Sequence, residues 1–420
     1  MKNVRYSGFY KLSLEDRMKE VAEFANFTDE EQKTLVDGNA LVDDIADNMI
    51  ENVIGRFTLP FAVGLNFVMN DKEYLIPMVT EEASVVAALS NGSRLAYETG
   101  GFKANYSGSI MRAQIQVIGL SNPYYAKNII LENKDKIKEV CNRKDSFLVN
   151  NGGGCKDVEV HIIDTDEGKM LIAHLIVDTL DAMGANAVNT MAEAAAPVIE
   201  ELTGGEVYLR ILSNLSDLRL ARATVTVKKE SLGGEEVVDK LITAYRFAKA
   251  DPYRAATHNK GIMNGISAVV LATGNDTRAI EAGAHAYAAR SGQYTSLTTW
   301  EKNANGDLTG SIEIPMALGL VGGATKIHPT AKLAVKMLDI KTVDELAMII
   351  ASVGLAQNLA AIRVLATEGV QKGHMSLHAR NVATQAGAKG EVLDKVVSKM
   401  IADNRVNVDY AKSILKELLQ

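Results

Sequence analysis

The sequence predicts an α+β fold in which a large, mainly helical domain is interrupted by a smaller α+β insert. The chain has 420 residues, too many for one compact core. From about residue 109 to residue 218, strand-like and helical segments alternate. From 219 to 373 the pattern returns to long alanine-rich helices, short apolar strands and glycine-rich turns. This change of pattern and return indicates one domain inserted into another.

The N-terminal region is expected to be helical. Ser13 precedes an amphipathic run, and Thr28 and Glu31 have the spacing of a capping box. A helical pattern continues from Leu41 to Ile54. From Phe57 to Pro77 the sequence is rich in β-forming residues on both sides of a turn, so strands are expected there.

The insert is expected to hold three strands and two helical segments. They are Ile110 to Ile118, Asp157 to Ile163 and Glu206 to Leu212 for the strands, and Pro123 to Asn142 and Val188 to Leu202 for the helices. The stretch from about 375 to 420 has helical patterns broken near Gly387 and Asp403, and it is expected to form a helical appendage.

Composition excludes several classes of protein. The chain is 47% hydrophobic and 23% charged, as in ordinary globular proteins. Its net charge of −7 argues against broad binding to nucleic acid, which needs many phosphate-neutralising cations. Apolar runs such as Met170 to Val177 fall short of the roughly 20 residues that span a bilayer, so no membrane anchor is predicted. The N-terminus lacks the apolar segment of a signal peptide, which predicts a cytoplasmic location.

The cysteines and glycines carry no familiar signature. Cys141 and Cys155 form no CxxC pair and cannot build a disulfide framework, and no structural metal is expected. Neither GxGxxG nor GxxxxGK[ST] occurs. Gly152 to Gly154 precedes a predicted strand and is best explained as a turn.

A turn of small residues, Asp181 to Asn186, follows an apolar run and precedes a helical segment. Backbone N–H groups at such a helix start can hold a phosphate. An ordinary helix start capped by Asn186 or Asn189 is the simpler explanation of the same residues.

Glu82 lies in a segment that is expected to begin a helix. Thr80 would be the N-cap, with Glu81 and Glu82 in the first turn. The helix dipole alone accounts for acidic residues there. A role as proton donor would need burial or a neighbouring carboxylate to raise the pKa of Glu82.

Lys260 lies in a polar segment, Asp251 to Gly265, with neither a helical nor a strand period, so a loop is expected. Arg254, His258 and Asn264 are crowded into the same segment. Loops of this composition often carry function, and the residues support a binding site and a solvated loop equally.

The remaining polar candidates are Asp276, His374 and His378. Asp276 follows Ile266 to Ala272, which is predicted as an apolar strand, and an N-cap is its simplest role. The two histidines have the i, i+4 spacing of a helical metal pair. The zinc-protease pattern needs glutamate directly after the first histidine, where Met375 stands, so metal binding is not favoured.

Together these motifs resemble the HMG-CoA reductase family, and the resemblance runs through almost the whole chain. The matching segments are Glu51 to Gly55, Pro77 to Ala88, Asp181 to Glu193, Asp251 to Gly265, Ala272 to Asp276 and Gly369 to His374. Six ordered motifs of this length exclude coincidence. Without an N-terminal membrane region, the chain resembles the soluble second class of the family, found in bacteria and archaea.

The resemblance implies an oxidoreductase that interconverts 3-hydroxy-3-methylglutaryl-CoA (HMG-CoA) and mevalonate plus CoA. Two hydride transfers would proceed through mevaldyl-CoA and mevaldehyde. In such an enzyme Lys260 stabilises the developing oxyanion, and Glu82 donates a proton to that oxygen. Asp276 hydrogen-bonds to both and tunes their protonation. His374 protonates the departing CoA thiolate.

The resemblance also implies binding residues. Those that contact the hydroxymethylglutaryl group are Ser84, Arg254 and Asn264. Those of the cofactor site are Asp145, Asp181, Met183, Gly184, Asn186 and Asn214. A carboxylate at Asp145 would repel a 2′-phosphate, so NADH is favoured, with NADPH as the alternative.

Family members are obligate dimers, so at least a homodimer is implied, with the segment from Glu51 to Gly55 at the interface. The implied domains are a large substrate-binding and dimerisation domain (1–108 and 219–373), a small cofactor-binding domain (109–218) and a C-terminal flap (374–420). Ala83 replaces a frequent proline. Tyr10 or Lys11 stands where some members place an arginine toward the substrate.

Two other functions are compatible with single motifs. One is another acyl-CoA or aldehyde oxidoreductase that shares the cofactor domain. The other is a non-catalytic protein that binds CoA or a nucleotide. The presence of Glu82, Lys260, Asp276 and His374 at family-like spacing argues against the second, because binding alone needs neither a proton donor nor a leaving-group acid.

Overall fold

The structure, a computed structural model, describes residues 4–36, 38, 40–367, 369 and 379–418. Its helices are α1 (Leu14–Ala25), α2 (Asp29–Val36), α3 (Asp43–Met49), α4 (Val85–Ala96), α5 (Pro123–Glu132), α6 (Lys134–Asn142), α7 (Ser146–Asn150), α8 (Ala185–Thr203), α9 (Lys229–Leu232), α10 (Glu235–Ala250), α11 (Pro252–Ala272), α12 (Thr277–Ala288), α13 (Gly323–Ile327), α14 (Pro329–Leu338), α15 (Val343–Thr367), α16 (residues 379–385), α17 (Gly390–Ala402) and α18 (Val408–Leu418). Its strands are β1 (Phe61–Met69), β2 (Lys72–Val79), β3 (Phe102–Tyr106), β4 (Ile110–Ile118), β5 (Gly154–Thr165), β6 (Gly168–Asp178), β7 (Glu206–Ser213), β8 (Leu220–Val227), β9 (Thr298–Lys302) and β10 (Leu308–Pro315).

The predicted caps of the first two helices are confirmed. The hydroxyl of Ser13 accepts a hydrogen bond from the Asp16 N–H at 3.0 Å, which caps α1. At α2, the Thr28 N–H donates to the Glu31 carboxylate at 2.7 Å, and the Glu31 N–H donates to the Thr28 hydroxyl at 3.3 Å. This reciprocal pair is a capping box.

Helix α3 is shorter than predicted, because it stops at Met49 instead of continuing to Ile54. The C-cap residue Ile50 has a φ of −148° and a ψ of 163°, an extended conformation that ends the helix. The strands expected next are present, since β1 and β2 pair antiparallel with Met69 opposite Lys72.

Two sheets confirm the α+β class. The six-stranded sheet has the order β2-β1-β3-β8-β10-β9, and the four-stranded sheet has the order β5-β6-β4-β7. Strands β3 and β8 are antiparallel neighbours, with Tyr106 opposite Ala221. The chain therefore leaves the six-stranded sheet and returns to it side by side, and residues 110–213 form the whole four-stranded sheet between these points.

Helix α11 replaces a predicted loop and a predicted strand. Asp251 caps it by accepting a hydrogen bond from the Arg254 N–H at 2.7 Å, and Pro252 occupies the first turn, where it needs no donor. Gly265 weakens the helical pattern in the sequence, because glycine is unfavourable inside a helix. In the structure it lies where α11 comes close to α15. A Cβ at Gly265 would lie 3.0 Å from the side chain of Gln357.

Helix α15 forms the centre of the large core, packed against α4, α11 and the six-stranded sheet. At Gly92 of α4, a Cβ would lie 2.1 Å from the carbonyl oxygen of Ala356, so only glycine allows this helix crossing. One helix in the described part of the chain, α15, is long and apolar enough to cross a membrane. Most of it is buried inside the protein, as in the core helix of a globular protein. The apolar runs singled out in the sequence do not include this helix.

Candidate active site

An ion pair between Glu82 and Lys260 forms the centre of the site. The ammonium of Lys260 lies 2.6 Å from the Glu82 carboxylate, and the Asn264 amide, one turn further along α11, lies 3.5 Å from the same group. They line a cavity of about 600 Å³ together with Arg278 and Glu281. The side chains of Glu82 and Lys260 are 42% and 58% exposed. An ion pair this exposed contributes little to stability, so its position points to function.

The turn before α4 differs from the prediction, because the helix begins at Val85 and Thr80 is not its N-cap. The Thr80 hydroxyl instead accepts a hydrogen bond from the Glu82 N–H at 3.2 Å, which places Glu82 in a turn outside the helix. Ser84 is the N-cap residue, with a φ of 77° and no capping hydrogen bond from its side chain. This unfavourable conformation turns the chain at a residue that is expected to contact substrate.

Asp276 caps α12, as predicted from its position. Its carboxylate accepts hydrogen bonds from the N–H groups of Arg278 and Ala279 and from the Arg278 guanidinium at 3.1 Å. Burial raises the pKa of Asp276, but the hydrogen bonds from Arg278 and Ala279 outweigh it and hold the pKa below its usual range. The family resemblance implies that Asp276 contacts Lys260 and Glu82. In the structure Asp276 pairs with Arg278 instead. Arg278 is 88% exposed and holds Asp276 weakly.

His258 is a core residue, although the sequence placed it among the ligand-contacting candidates. Its Nε2 lies 2.9 Å from the Thr298 hydroxyl and 3.2 Å from the Asn358 amide. Burial, helped by the charge of Arg254, lowers the pKa of His258 to about 3. Arg254 itself lies one turn earlier on α11 and is half-buried.

A chain of polar groups in the same cavity was missed by the sequence analysis. Ser267 and His285 both hydrogen-bond to Glu281, the histidine at 3.0 Å, and the other ring nitrogen of His285 lies 2.8 Å from the Tyr294 hydroxyl. Burial raises the pKa of Glu281, but hydrogen bonds from His285 and Ser267 lower it overall. The i, i+4 spacing of Glu281 and His285 was the available signal.

The turn that includes Asp181, Met183, Gly184 and Asn186 leads into α8. Gly184 has a φ of 94°, and a Cβ there would lie 2.3 Å from the side chain of Thr179, so the position requires glycine. No side chain caps α8 and its first turn carries no acidic residue. An uncapped start of a 19-residue helix suits the pyrophosphate of a dinucleotide, so the turn fits the expected cofactor.

The asparagines of this region do not cap α8. Asn186 is exposed on the first turn, and the Asn189 side chain accepts a hydrogen bond from the Leu212 N–H at 2.9 Å. The carboxylate of Asp181 accepts from the Val343 N–H at 2.8 Å and so holds the start of α15.

Arg219, which the sequence analysis did not single out, holds the turn against the rest of the protein. It is fully buried and donates hydrogen bonds to the carbonyl oxygens of Met183 at 3.1 Å and Leu318 at 2.6 Å. Its guanidinium also donates to the Tyr106 hydroxyl at 2.6 Å. A signal was present, since an arginine between Leu218 and Leu220 is unusual in an apolar run.

Gly319 joins the two halves of the site. Its N–H donates to the Asn275 side chain at 2.8 Å, next to Asp276, and a Cβ on Gly319 would lie 2.6 Å from the Met183 nitrogen. Asn214, a predicted cofactor-site residue, lies beside α12. A Cβ on Gly283 of that helix would lie 2.7 Å from the Asn214 carbonyl oxygen.

Two predicted site residues remain, Asp145 and His374. Asp145 caps α7 by accepting a hydrogen bond from the Leu148 N–H at 2.8 Å. His374, like His378, lies outside the described residues.

Comparisons with known proteins agree on one family. The family model of hydroxymethylglutaryl-coenzyme A reductase matches residues 13–379. The chain is 59% identical over 414 residues to the 3-hydroxy-3-methylglutaryl-coenzyme A reductase of Archaeoglobus fulgidus, covering 99% of this chain and 94% of the relative. It is 34% identical over 431 residues to a probable enzyme of the same name from Borreliella burgdorferi, covering 98% and 97%.

Solved structures agree with these matches. The reductase of Streptococcus pneumoniae superposes with a TM-score of 0.85 at 39% identity, covering 99% of this chain and 100% of that one. A class II reductase structure from the same organism, bound to NADPH in open conformations, gives 0.84 at 40% identity, covering 87% and 100%. The fold and the matches together define an oxidoreductase that is similar to the class II hydroxymethylglutaryl-coenzyme A reductases. The chain belongs to the hydroxymethylglutaryl-coenzyme A reductase family.

Proposed function

We propose that the chain interconverts HMG-CoA and mevalonate plus CoA by two successive hydride transfers, through mevaldyl-CoA and mevaldehyde. The observation that carries the proposal is the exposed pair of Lys260 and Glu82, 2.6 Å apart in a cavity of about 600 Å³. A bound nicotinamide supplies the hydride. The test is a spectrophotometric assay of the purified protein with HMG-CoA and each reduced cofactor. Oxidation of the cofactor with other acyl-CoA esters but not with HMG-CoA would assign a different oxidoreductase.

The proposed roles follow from the geometry of the pair. A substrate carbonyl oxygen held by the Lys260 ammonium would lie within reach of the Glu82 carboxyl group, so Lys260 stabilises the oxyanion and Glu82 supplies its proton once the carboxylate of Asp276 lies beside it. Asn264, within 3.5 Å of Glu82, orients the same oxygen. Asp276 tunes both partners, since its exposed partner Arg278 is released at little cost.

We place the CoA arm in a largely apolar groove of about 670 Å³ between the N-terminal residues and α4. Ser84 lies on its wall, so the groove reaches the substrate-binding turn. Arg17 and Arg94 supply the charge that phosphates need. Tyr10 also lines the groove, so we propose Tyr10 for the substrate contact.

We propose NADH as the preferred cofactor, with NADPH, which the Streptococcus pneumoniae protein binds, as the alternative. Asp145 supports NADH because its carboxylate would repel a 2′-phosphate.

The substitution Asp145→Asn is expected to raise the ratio of NADPH to NADH use, measured as kcat/KM with each cofactor. Asparagine removes the charge but keeps an oxygen that can cap α7. Asp145→Ala removes both, so it serves as the comparison that separates charge from capping. It should shift the cofactor ratio similarly and lower the free energy of unfolding by about 1 kcal/mol. A wild-type enzyme that strongly prefers NADPH would contradict the role of Asp145.

His374 is proposed as the acid that protonates the CoA thiolate. His374→Gln is then expected to impair HMG-CoA reduction strongly and to spare the reduction of added mevaldehyde, which has no CoA to expel. The measurement is kcat with each substrate at saturating cofactor. Equal losses on both substrates would argue for a positioning role instead.

We further propose a homodimer, supported by exposed apolar residues in the stretch between α3 and β1. Ile54 and Phe57 are almost fully exposed there, beside the segment from Glu51 to Gly55. We also propose the domain division of the sequence analysis (1–108 with 219–373, 109–218, and 374–420), which is supported by the origin of the four-stranded sheet in residues 110–213. A cytoplasmic location stays a prediction.

A further inference from the structure

One carboxylate and two imidazoles meet on the four-stranded sheet, and none of the three lines the cavity of the candidate active site. Glu159 and His161 are two residues apart on β5 and share a face, and His174 of β6 lies directly opposite Glu159. The ligand atoms of the three side chains lie within 4.8 Å of one another. Nε2 of His161 and the Glu159 carboxylate are 3.4 Å apart. Two ligands of a tetrahedral zinc ion are separated by roughly 3.4 Å, so only a small closure is needed.

Hydrogen bonds already orient two of these side chains. Arg112 donates to Glu159 at 2.6 Å and is anchored in turn by Asp217 at 2.7 Å. The side-chain amide nitrogen of Gln114 lies 3.1 Å from Nε2 of His174. Metal-binding carboxylates and imidazoles typically have such outer partners, which fix their orientation. A carboxylate has lone pairs on both oxygens, so Arg112 leaves Glu159 able to bind an ion.

His174 has a nitrogen without a protein partner. Its Nδ1 is buried and makes no hydrogen bond within the described part of the chain. The amide nitrogen of Gln114 faces Nε2; a 180° turn of this amide exchanges its nitrogen and oxygen, which puts the ring proton on Nε2 and leaves the lone pair of Nδ1 for an ion. Without a bound ligand this buried nitrogen has no partner among the described residues, and native proteins usually avoid such unpaired buried polar atoms.

We propose that Glu159, His161 and His174 bind a divalent transition-metal ion, with zinc as the best fit. Two imidazoles and one carboxylate form a ligand set that zinc accepts, and the exposed side of His161 leaves a position for water. The ion joins β5 to β6 and stabilises the insert. The charge of Arg112 keeps the affinity moderate.

The test is equilibrium dialysis of the full-length, EDTA-treated protein against Zn²⁺ alone. Wild type is expected to bind one ion per chain through this cluster. His161→Gln and His174→Gln should each weaken that binding at least tenfold. Co²⁺ should give visible absorption bands in the wild type that both variants lack. Saturating Zn²⁺ should raise the Tm of the wild type and leave that of His161→Gln unchanged.

The matched control is His378→Gln, which removes a histidine of the other candidate pair and should leave zinc binding unchanged. His161 is exposed, so its variant should fold normally, which circular dichroism without metal checks. The proposal is overturned if the wild type binds no zinc, if both cluster variants bind as the wild type does, or if His378→Gln abolishes binding.

Discussion

Replacing Lys260 by alanine is expected to lower kcat/KM for HMG-CoA by about 10²–10³-fold, the usual effect of losing one oxyanion donor. Reduction of mevaldehyde should fall to a similar extent, because both hydride transfers place negative charge on an oxygen. The loss should appear in kcat on each substrate, since the ammonium acts most strongly on the charge that develops in the transition state. Absorbance of the reduced cofactor measures both reactions.

A stability measurement separates this effect from damage to the fold. The pair with Glu82 is exposed, so its loss should change the free energy of unfolding by no more than about 1 kcal/mol. Lys240→Ala is the matched control, because Lys240 also forms an exposed ion pair, with Glu236 at 2.7 Å on α10, and lies outside the cavity. Near-normal turnover by Lys260→Ala would exclude Lys260 from the chemistry.

Replacing Arg219 by methionine is expected to lower the free energy of unfolding by about 3–5 kcal/mol, as for other buried charges whose partners are left behind. The methionine would leave the carbonyl oxygens of Met183 and Leu318 and the Tyr106 hydroxyl without their donor in a buried environment. Urea denaturation without ligands measures the change.

The cofactor site should also respond to this substitution. With the turn at Met183 no longer held, the Kd of the nicotinamide cofactor should rise under conditions where the variant is folded. Arg246→Met, at an exposed position on α10, is the control and should stay within about 0.5 kcal/mol of the wild type. If Arg219→Met is too unstable to isolate, Arg219→Lys keeps the charge and loses the planar fork, and it should show an intermediate loss. Wild-type stability and cofactor affinity in both variants would refute the role.

Local signals in the sequence predicted local structure well. The caps at Ser13, Thr28 and Asp276 depend on residues no more than three positions away, and the structure has all three. The α+β class and the family were also predictable, because the six segments that resemble the family are long and occur in order along the chain. Strand β4 was placed at its observed ends, Ile110 and Ile118.

Errors arose where distant contacts decide the conformation. The polar segment 251–265 has no helical period and favours a loop, whereas the structure has helix α11 there, with Gly265 close to Gln357. Likewise the left-handed conformation of Ser84 delays α4 by several residues, which no propensity scale predicts. Arg219 depends on acceptors up to 113 residues away along the chain. The pairing of Asp276 with Arg278 also could not be predicted from the sequence.

The side-by-side exit and return of the chain at β3 and β8 has a consequence for how the protein folds. In the unfolded chain, Tyr106 and Ala221 are separated by the whole insert, so pairing them first would require closing a long loop. Once residues 110–213 have formed their own sheet, the two ends emerge next to each other, and the Ser107 N–H reaches the Leu220 carbonyl at 3.0 Å. The insert then acts like a short hairpin loop. We therefore expect it to order early and to speed the assembly of the six-stranded sheet around it.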